Sequence, residues 1–258
     1  MLISICIPTF NREKELEKQL YIFFKQVKNL KYNYNLAVSD NGSNDNSKKI
    51  LLKYKKKFSK LKNVTFTLNF NKKNLGFNKN LFKSLKICSG NYAIILADDD
   101  FPSGKFYKKI HEYLSKKKPE GILFVPMSKK YIIRKLNNKT FLSKCREKLK
   151  SYIFEFSYIN QRSGTMSGII IKPDLILLEK QLIGRKTIYP QIQISLNYYL
   201  KYGFHPINFN EFLDMTTQVG GIITQVDDAM GRPEDYGIIE RFNIIEEYKK
   251  KKLISKAS

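Results

Sequence analysis

The sequence predicts an α/β fold in which helices cover both faces of a mostly parallel sheet. Through the first 125 residues, short apolar runs rich in β-branched side chains alternate with amphipathic helical stripes, which is the pattern of repeated β–α–β units. Hydrophobic residues make up 42% of the 258-residue chain, and this is enough apolar material for a core of domain size. We therefore expect one continuous domain with an elaboration in its C-terminal half.

Each element of the first half follows from the spacing of its apolar residues. Leu16, Leu20 and Phe23, for example, recur at intervals of four and three, which places them on one side of a helix. The predicted strands cover residues 3–9, 36–38, 64–68, 92–97 and 121–125. The predicted helices are centred on residues 16–27, 50–58, 81–85 and 106–114.

The second half of the chain is less regular. Strands are predicted over residues 131–133, 168–172 and 204–209, and helices over 141–158, over 189–202 and from about residue 235 onward. The segment 214–233 is rich in Gly, Thr and Asp and has no periodicity, so we predict a loop there.

The chain is strongly basic, with 47 Lys and Arg residues against 23 Asp and Glu residues and a net charge of +24. Such a surplus is typical of a surface that meets an anionic partner. It also accompanies a composition rich in Lys, Asn and Ile together, as an AT-rich genome produces. The sequence alone leaves both explanations open.

The cysteines and the apolar runs indicate a compartment. Cys6, Cys88 and Cys145 lie far apart and form no CxxC pair, so neither a disulfide framework nor a zinc site is expected. The first residues do not resemble a basic leader segment, and no run approaches the ~18 apolar residues of a membrane span. We expect a soluble cytoplasmic protein, bound at most to the inner face of the cell membrane.

Four polar segments directly follow predicted strands. They are residues 8–12, Asp40, residues 70–78 and residues 98–100. Because the carboxyl ends of parallel strands share one edge of the sheet, and ligands bind outside that edge, we expect the four segments to meet at a single binding site.

The strongest indication of chemistry is the carboxylate triplet Asp98-Asp99-Asp100 after the apolar run 92–97. Adjacent carboxylates repel one another, and Mg²⁺ or Mn²⁺ removes that repulsion while also binding phosphate oxygens. If the strand continues, Asp98 and Asp100 lie on one side and Asp99 on the other. The residues favour a metal–diphosphate site over a solvated acidic turn.

Asp40 closes the second predicted strand, and two roles are open to it. Its carboxylate is able to accept a hydrogen bond from a nucleotide. Equally, it is a typical N-cap for the helix that follows.

Four motifs in these segments resemble those of the family 2 inverting glycosyltransferases. Residues 5–12 (ICIPTFNR) resemble the opening hhhPTYNR, and residues 38–45 (VSDNGSND) resemble VDDGSTD. Residues 74–78 (NLGFN) resemble NxGxxxARN, and residues 89–100 (SGNYAIILADDD) resemble A-x-G-x-Y-hhhLDADD. The motifs occur in family order within the first 125 residues, so the resemblance is specific in combination.

The resemblance implies a Rossmann-like GT-A fold and a nucleotide-diphosphate sugar donor, most often a UDP-sugar. It implies that residues 1–127 form the half of the domain that binds the nucleotide-sugar. Residues 128–258 then form the acceptor-side half with a basic C-terminal helix. Within that half, residues 163–168 are either part of the acceptor pocket or an ordinary Gly/Ser loop.

The resemblance also implies roles for individual residues. Pro8 and Thr9 line the base and ribose, Asp40 binds the base, and Asp98 contacts the ribose or sugar while Asp100 contacts a Mn²⁺ or Mg²⁺ ion. Asp99 and Asp100 are interchangeable in these roles, because Ala97 replaces the first carboxylate of the family pattern. The full set of implied nucleotide-binding residues is Pro8, Thr9, Asn11, Arg12, Asp40, Asn74, Gly76, Asp98 and Asp99.

Two further predictions concern the metal and the base. His205 is a candidate third metal ligand beside Asp98 and Asp100, although a lone histidine is more often a packed residue. The family places its catalytic carboxylate where this chain has Gln191, and an amide is unable to accept the proton. We therefore predict Asp227 or Asp228 as the general base.

The expected acceptor is a hydroxyl of a saccharide or of a lipid-linked saccharide. The run Lys249–Lys252 either contacts an anionic membrane surface or is a solvated tail. Two alternatives are a sugar nucleotidyltransferase, which needs a Gly-rich loop after the first strand, and a basic protein that binds nucleic acid or a membrane surface. No nucleic acid is expected, because an acidic triplet at the binding edge repels phosphate without a metal.

Overall fold

The computed structural model describes residues 1–102, 104–125, 166–174, 190–205 and 217–219. The strands are β1 (Leu2–Thr9), β2 (Asn33–Asp40), β3 (Val64–Phe70), β4 (Tyr92–Ile95), β5 (Asp100–Pro102), β6 (Leu123–Phe124), β7 (Ile169–Ile171) and β8 (Thr217–Val219). The helices are α1 (Glu13–Val27), α2 (Ser47–Phe58), α3 (Phe77–Lys86), α4 (Phe106–Lys117) and α5 (Pro190–Tyr202).

Six strands form one sheet in the order β3-β2-β1-β4-β7-β6. The pairs β1–β2, β2–β3 and β1–β4 are parallel, whereas β7 runs antiparallel to both β4 and β6. In the register of the parallel strands, Thr9 lies opposite Asp40, and Asp40 lies opposite Phe70. The prediction of a mostly parallel sheet is confirmed, and its register brings three strand ends to the same level.

Helices cover both faces of this sheet, as the alternation of side chains along β1 requires. Ile3, Ile5 and Ile7 of β1 pack with buried residues of α1, α2 and α4. Cys6 points to the opposite face, where the core includes residues of α3 and α5. In the core that contains Ile3, Ile5 and Ile7, Phe23 packs against three aromatic rings. It contacts Tyr34, Phe58 and Tyr107 edge-on at centroid distances of 4.8–6.0 Å.

Two sequence predictions differ from the structure. Thr217–Val219, inside the predicted loop 214–233, is strand β8 and pairs antiparallel with β5. The predicted strand 92–97 ends at Ile95, because the chain turns at Asp98 and Asp99 and begins the separate strand β5 at Asp100. The predictions for residues 131–133, 141–158 and 206–209 and for the C-terminal helix lie outside the described residues.

The structure also bears on the membrane question. Over the ranges listed above, no helix has both the length and the apolar character needed to cross a bilayer.

Candidate active site

The carboxyl ends of β1, β2 and β3 are joined by hydrogen bonds into one edge. The backbone N–H of Asn41 donates to the Thr9 carbonyl at 2.9 Å, and that of Asn71 donates to the Asp40 carbonyl at 2.9 Å. The Thr9 hydroxyl also donates a hydrogen bond to the carboxylate of Asp98, which follows β4. The four polar segments predicted to meet therefore lie along the same edge of the sheet.

The three carboxylates of the triplet are held by three different parts of the fold. Thr9 Oγ1 donates to Asp98 Oδ2 at 2.6 Å, and an Arg12 guanidinium nitrogen lies 3.6 Å from Asp99 Oδ2. Ser167 lies beside the Asp100 carboxylate and acts to lower its pKa, and its hydroxyl accepts the backbone N–H of Ala97 at 2.8 Å. The strand does not continue through the triplet, because a turn carries Asp98 and Asp99, so the alternation expected of a continuing strand does not apply here.

Burial of these carboxylates disfavours their ionised form. Asp98 is only 9% exposed, and its burial raises its pKa to about 7 against the opposing hydrogen bond from Thr9. Burial is also the main cause that raises the pKa of Asp100. A cation placed beside these oxygens would reverse both effects, since it favours the charged form.

We expect stability to fall as the pH rises through the acid range, in a buffer containing EDTA. Between about pH 4 and pH 7 the folded protein keeps a proton on Asp98 that the unfolded chain releases, so the free energy of unfolding decreases. Asp98→Asn removes this titration while it still accepts from Thr9. Chemical denaturation at pH 4.5 and pH 7.5 gives the change in the free energy of unfolding between the two. We expect wild type to lose roughly 2–4 kcal/mol more than the variant over this interval. Parallel pH profiles would contradict this assignment.

The Asp40 carboxylate lies at the end of β2 and is 3% exposed. It accepts from the backbone N–H of Ser43 at 3.4 Å and from the Ser43 hydroxyl, and burial raises its pKa. The N-cap alternative for Asp40 is wrong. The N-cap residue of α2 is Asn46, and the Asp45 carboxylate accepts the backbone N–H of Ser47.

The loop after β1 and the loop after β2 are fastened to each other. Asn11, with φ of 51°, donates its backbone N–H to Ser43 Oγ at 2.9 Å and accepts the Asn44 backbone N–H on its side chain. Asn is among the residues that tolerate this left-handed conformation. Asn11 thus orients the loop that carries Arg12.

The Asn80 side chain forms hydrogen bonds with residues at the ends of β1, β2 and β3. Its side-chain NH₂ donates to the carbonyls of Thr9 and Ser39 at 3.2 and 3.0 Å. Its side-chain oxygen accepts from the Ser39 hydroxyl and the Asn71 side chain at 2.7 and 3.0 Å. With an exposure of 2%, Asn80 satisfies all four hydrogen-bonding positions of its amide within the protein.

Asn41 and Asn74 connect the loop after β3 to the loop after β2. The Asn41 side chain donates to Asn74 Oδ1 at 2.8 Å and accepts the backbone N–H of Leu75 at 3.0 Å. Gly42 has φ of 75°, and a Cβ there would lie 2.8 Å from the Lys73 backbone. Only glycine permits the Lys73 backbone to come this close. The loop after β2 and the loop after β3 are therefore packed directly against each other.

Gly76 is the N-cap residue of α3 and has φ of 83°. A Cβ at this position would have no atom within 4 Å. Its backbone N–H donates to Asn74 Oδ1 at 2.8 Å, so the glycine serves the conformation of the loop.

The structure places His205 away from the carboxylates. Its ring nitrogen Nε2 is 3.1 Å from the Tyr113 hydroxyl, and its backbone N–H donates to the carbonyl of Ile122, just before β6. The chain at Phe204 runs alongside Ile122, so three strand spacings, about 14 Å, separate it from β4. The prediction that His205 binds the metal with Asp98 and Asp100 therefore does not agree with the fold.

The predicted base residues Asp227 and Asp228 lie outside the described residues. Gln191 lies in the first turn of α5 and is 5% exposed. Among the residues that the structure describes, its side-chain oxygen has no hydrogen-bond partner. Helix α5 ends beside Ile122 at the amino end of β6, since Gly203 bonds to Ile122 there. Its first turn consequently lies toward the carboxyl edge of the sheet.

Sequence reasoning missed Asn80 and Asn71, and it gave Ser167 no individual role. An indication was present, since residues 69–80 contain five asparagines. Periodicity places Asn80 on α3 but does not reveal that its amide faces the ends of β1 and β2. Ser167 precedes β7, and its contact with Asp100 depends on pairing across a long stretch of sequence.

The chain is similar to known proteins in sequence. A family model described as "Glycosyl transferase family 2" matches residues 4–171, which is more than half of the chain. Abequosyltransferase RfbV of Salmonella typhimurium is 32% identical over 100 residues, which cover 39% of this chain and 28% of that protein.

Solved structures share the fold. TarS 1-349 of S. aureus in complex with UDP-GlcNAc has a TM-score of 0.52 at 18% identity, covering 78% of this chain and 54% of that one. Mannosyltransferase PcManGT from Pyrobaculum calidifontis, in complex with GDP-Man and Mn²⁺, has a TM-score of 0.53 at 15% identity, covering 80% and 55%. The GT-A fold predicted from the motifs is confirmed. The chain spans about half the length of these structures and under a third of RfbV.

Proposed function

The chain belongs to glycosyl transferase family 2, and we propose that it transfers a sugar, with inversion, from a nucleotide-diphosphate donor to a hydroxyl acceptor. The donor we propose is a UDP-sugar, and the acceptor is a saccharide or a lipid-linked saccharide. The observation that carries the proposal is the meeting of Asp40 and the Asp98–Asp100 triplet on one edge, joined through Thr9.

The described residues suit the parts of a nucleoside diphosphate. Asp40 offers a buried acceptor at the end of β2, which suits the N3–H donor of uracil. The chain segments at the ends of β1 and β3, beside Asp40, contain Pro8, Asn11, Asn74 and Gly76. Thr9 keeps its proposed place at the ribose, but its hydroxyl proton is already donated to Asp98, so it acts first as a positioning residue.

A divalent cation fits the chemistry of the acidic triplet. Among the described residues, no group of three His, Cys, Asp or Glu side chains is placed to hold a metal by itself. Mg²⁺ and Mn²⁺ in phosphate sites take only one or two carboxylates, with phosphate and water oxygens as the remaining ligands. Asp98 and Asp100 would hold the ion. Its positive charge would offset the cost of burying their two negative charges. When bound, it would neutralise charge on the departing diphosphate.

The proposed reaction is a single displacement. The acceptor oxygen forms a bond to the anomeric carbon from the face opposite the diphosphate, and the bond from that carbon to the diphosphate oxygen breaks. The nucleoside diphosphate leaves with the electron pair, and the acceptor proton passes to a carboxylate base. Asp227 or Asp228 remains our proposal for that base.

The rest of the site holds the donor and orients the reacting groups. Arg12 is partly exposed beside Asp99 and offers a positive charge at the diphosphate end. Ser167 fixes Asp100 from the β7 side. We assign residues 1–127 to donor binding and residues 128–258, which include residues 163–168, to the acceptor.

A donor screen tests this function. Purified protein is incubated with UDP-sugars and GDP-sugars, with Mn²⁺ or with EDTA, and the released nucleoside diphosphate is measured. We expect one UDP-sugar to give release that depends on Mn²⁺ and increases with a suitable acceptor. Release from no nucleotide-sugar, together with tight salt-sensitive binding to arbitrary DNA, would overturn the proposal in favour of a nucleic-acid-binding protein.

A further inference from the structure

We propose that the outward surface of α1 and α2 docks onto an anionic lipid membrane. We call it the lysine face and define it by six exposed residues: Tyr21, Lys49, Leu52, Lys53, Lys56 and Lys60. The proposal goes beyond sugar transfer, and it does not depend on which donor the site binds.

The charge of residues 46–63, which supply five of the six residues of the lysine face, exceeds what the composition of the chain explains. Residues 46–63 contain eight lysines and neither Asp nor Glu. The chain average of 47 basic residues in 258 corresponds to about three in 18 residues. Compositional drift therefore accounts for less than half of the local charge.

The fold directs this charge outward. Leu51, Tyr54 and Phe58 form the buried stripe of α2, so residues at the other angular positions of the helix face away from the sheet. One carboxylate of α1 offsets part of the charge, since Lys53 Nζ lies 2.8 Å from Glu17 Oε1. Lys49, Lys56 and Lys60 are exposed beside it.

Large apolar side chains accompany the lysines. In the described part of the chain only three large hydrophobic side chains are exposed, and two of them, Tyr21 at 46% and Leu52 at 44%, belong to this face. Lys25 and Lys57 lie over the Tyr21 ring at 5.5 and 5.9 Å. A lysine-rich helical surface with partly exposed Leu and aromatic side chains is typical of peripheral membrane binding.

These observations favour lipid over nucleic acid as the partner. All eight cations of residues 46–63 are lysines, whereas recognition of nucleic acid tends to use the planar fork of arginine. Lysines near an anionic leaflet are attracted to its surface potential without specific geometry. The exposed side chains of Leu52 and Tyr21 are able to insert at the boundary between lipid headgroups and acyl chains. A phosphate backbone offers no apolar surface to bury them.

The placement of the face is compatible with an active site beside the membrane. Helix α2 begins seven residues after Asp40, so its first turn lies next to the carboxyl edge. The lysine face itself lies on the outer side of α1 and α2, and the acidic triplet is not part of it. A protein docked through this face would hold its site close to lipid-linked material.

The test compares two full-length variants with the same change in charge. Lys49→Gln/Lys56→Gln/Lys60→Gln removes three charges from the lysine face, and Lys83→Gln/Lys116→Gln/Lys117→Gln removes three exposed charges from α3 and α4. Co-sedimentation is measured with phosphatidylcholine vesicles with and without phosphatidylglycerol, at low and high salt. Circular dichroism checks that both variants fold.

We expect wild type to bind only the anionic vesicles, the lysine-face variant to lose at least about tenfold in affinity, and the control to change by less than about twofold. Leu52→Ser should weaken binding that persists at high salt. Equal losses in both variants, undiminished binding of the lysine-face variant, or tighter binding to DNA than to vesicles would each overturn the proposal. None of these outcomes bears on nucleotide release, which is measured separately.

Discussion

Replacing Asp100 or Asp98 by Asn should lower the rate of sugar transfer by roughly 100-fold or more. Each substitution keeps the shape of the side chain and removes its negative charge. The loss of that charge weakens the proposed cation site, so the leaving diphosphate loses its counter-charge. Release of nucleoside diphosphate at saturating donor and Mn²⁺ is the measurement.

Glu112→Gln is the matched control. Glu112 is an exposed carboxylate on α4 that pairs with Lys108 and with the Tyr32 hydroxyl, far in the fold from the triplet. Its neutralisation should leave transfer within about twofold of wild type. If Asp98→Asn and Asp100→Asn behaved like this control, the triplet would have no part in the reaction.

The second large effect is expected on stability, from Asn80→Ala. This change leaves the carbonyls of Thr9 and Ser39 and the side chains of Ser39 and Asn71 without their present partner. The Thr9 carbonyl and the Asn71 side chain each keep a hydrogen bond with Asn41, so the change weakens the network without leaving every group unpaired. A buried polar group that loses its last partner costs about 1–3 kcal/mol. Because the surrounding groups relax in part, we expect the free energy of unfolding to fall by roughly 2–4 kcal/mol in total.

Asn80→Ala should also weaken nucleotide binding, since Thr9 and Asp40 lose the link that sets their relative position. Urea denaturation measures the first effect and nucleotide titration the second. Asn33→Ala, an exposed position at the opposite end of β2, should change stability by less than about 0.5 kcal/mol. Equal stabilities of the two variants would show that the network around Asn80 is not a structural link.

The sequence predicts the layered architecture because the pattern is local. Apolar alternation and helical spacing give β1 to β4 and α1 to α4, and the rule for parallel sheets then brings Thr9, Asp40 and the triplet to one edge. The edge and these residues are therefore predictable from the sequence, whereas the roles of Asn71 and Asn80 are not. The geometry within the edge is not predictable either, since Asp98 meets Thr9 across 89 residues.

The errors have physical causes. Strand β8 has no periodic pattern of its own and exists through pairing with β5, and His205 follows the path of α5 to the far side of the sheet. Asp40 matched the residue preference of an N-cap, but the geometry of the turn gives that position to Asn46. Contacts formed across long sequence separations decided the first two cases, and the conformation of a local turn decided the third; residue preferences report neither.

Isothermal titration calorimetry with UDP tests the central claim most directly. We expect saturable one-to-one binding to the wild-type protein in Mn²⁺, a large loss in EDTA, and a comparable loss in the Asp100→Asn variant even with Mn²⁺. If no nucleoside diphosphate bound in Mn²⁺, or if UDP bound equally well to wild type in EDTA and to Asp100→Asn, the edge formed by β1, β2 and β4 would not be a metal-assisted site for a nucleotide-sugar donor.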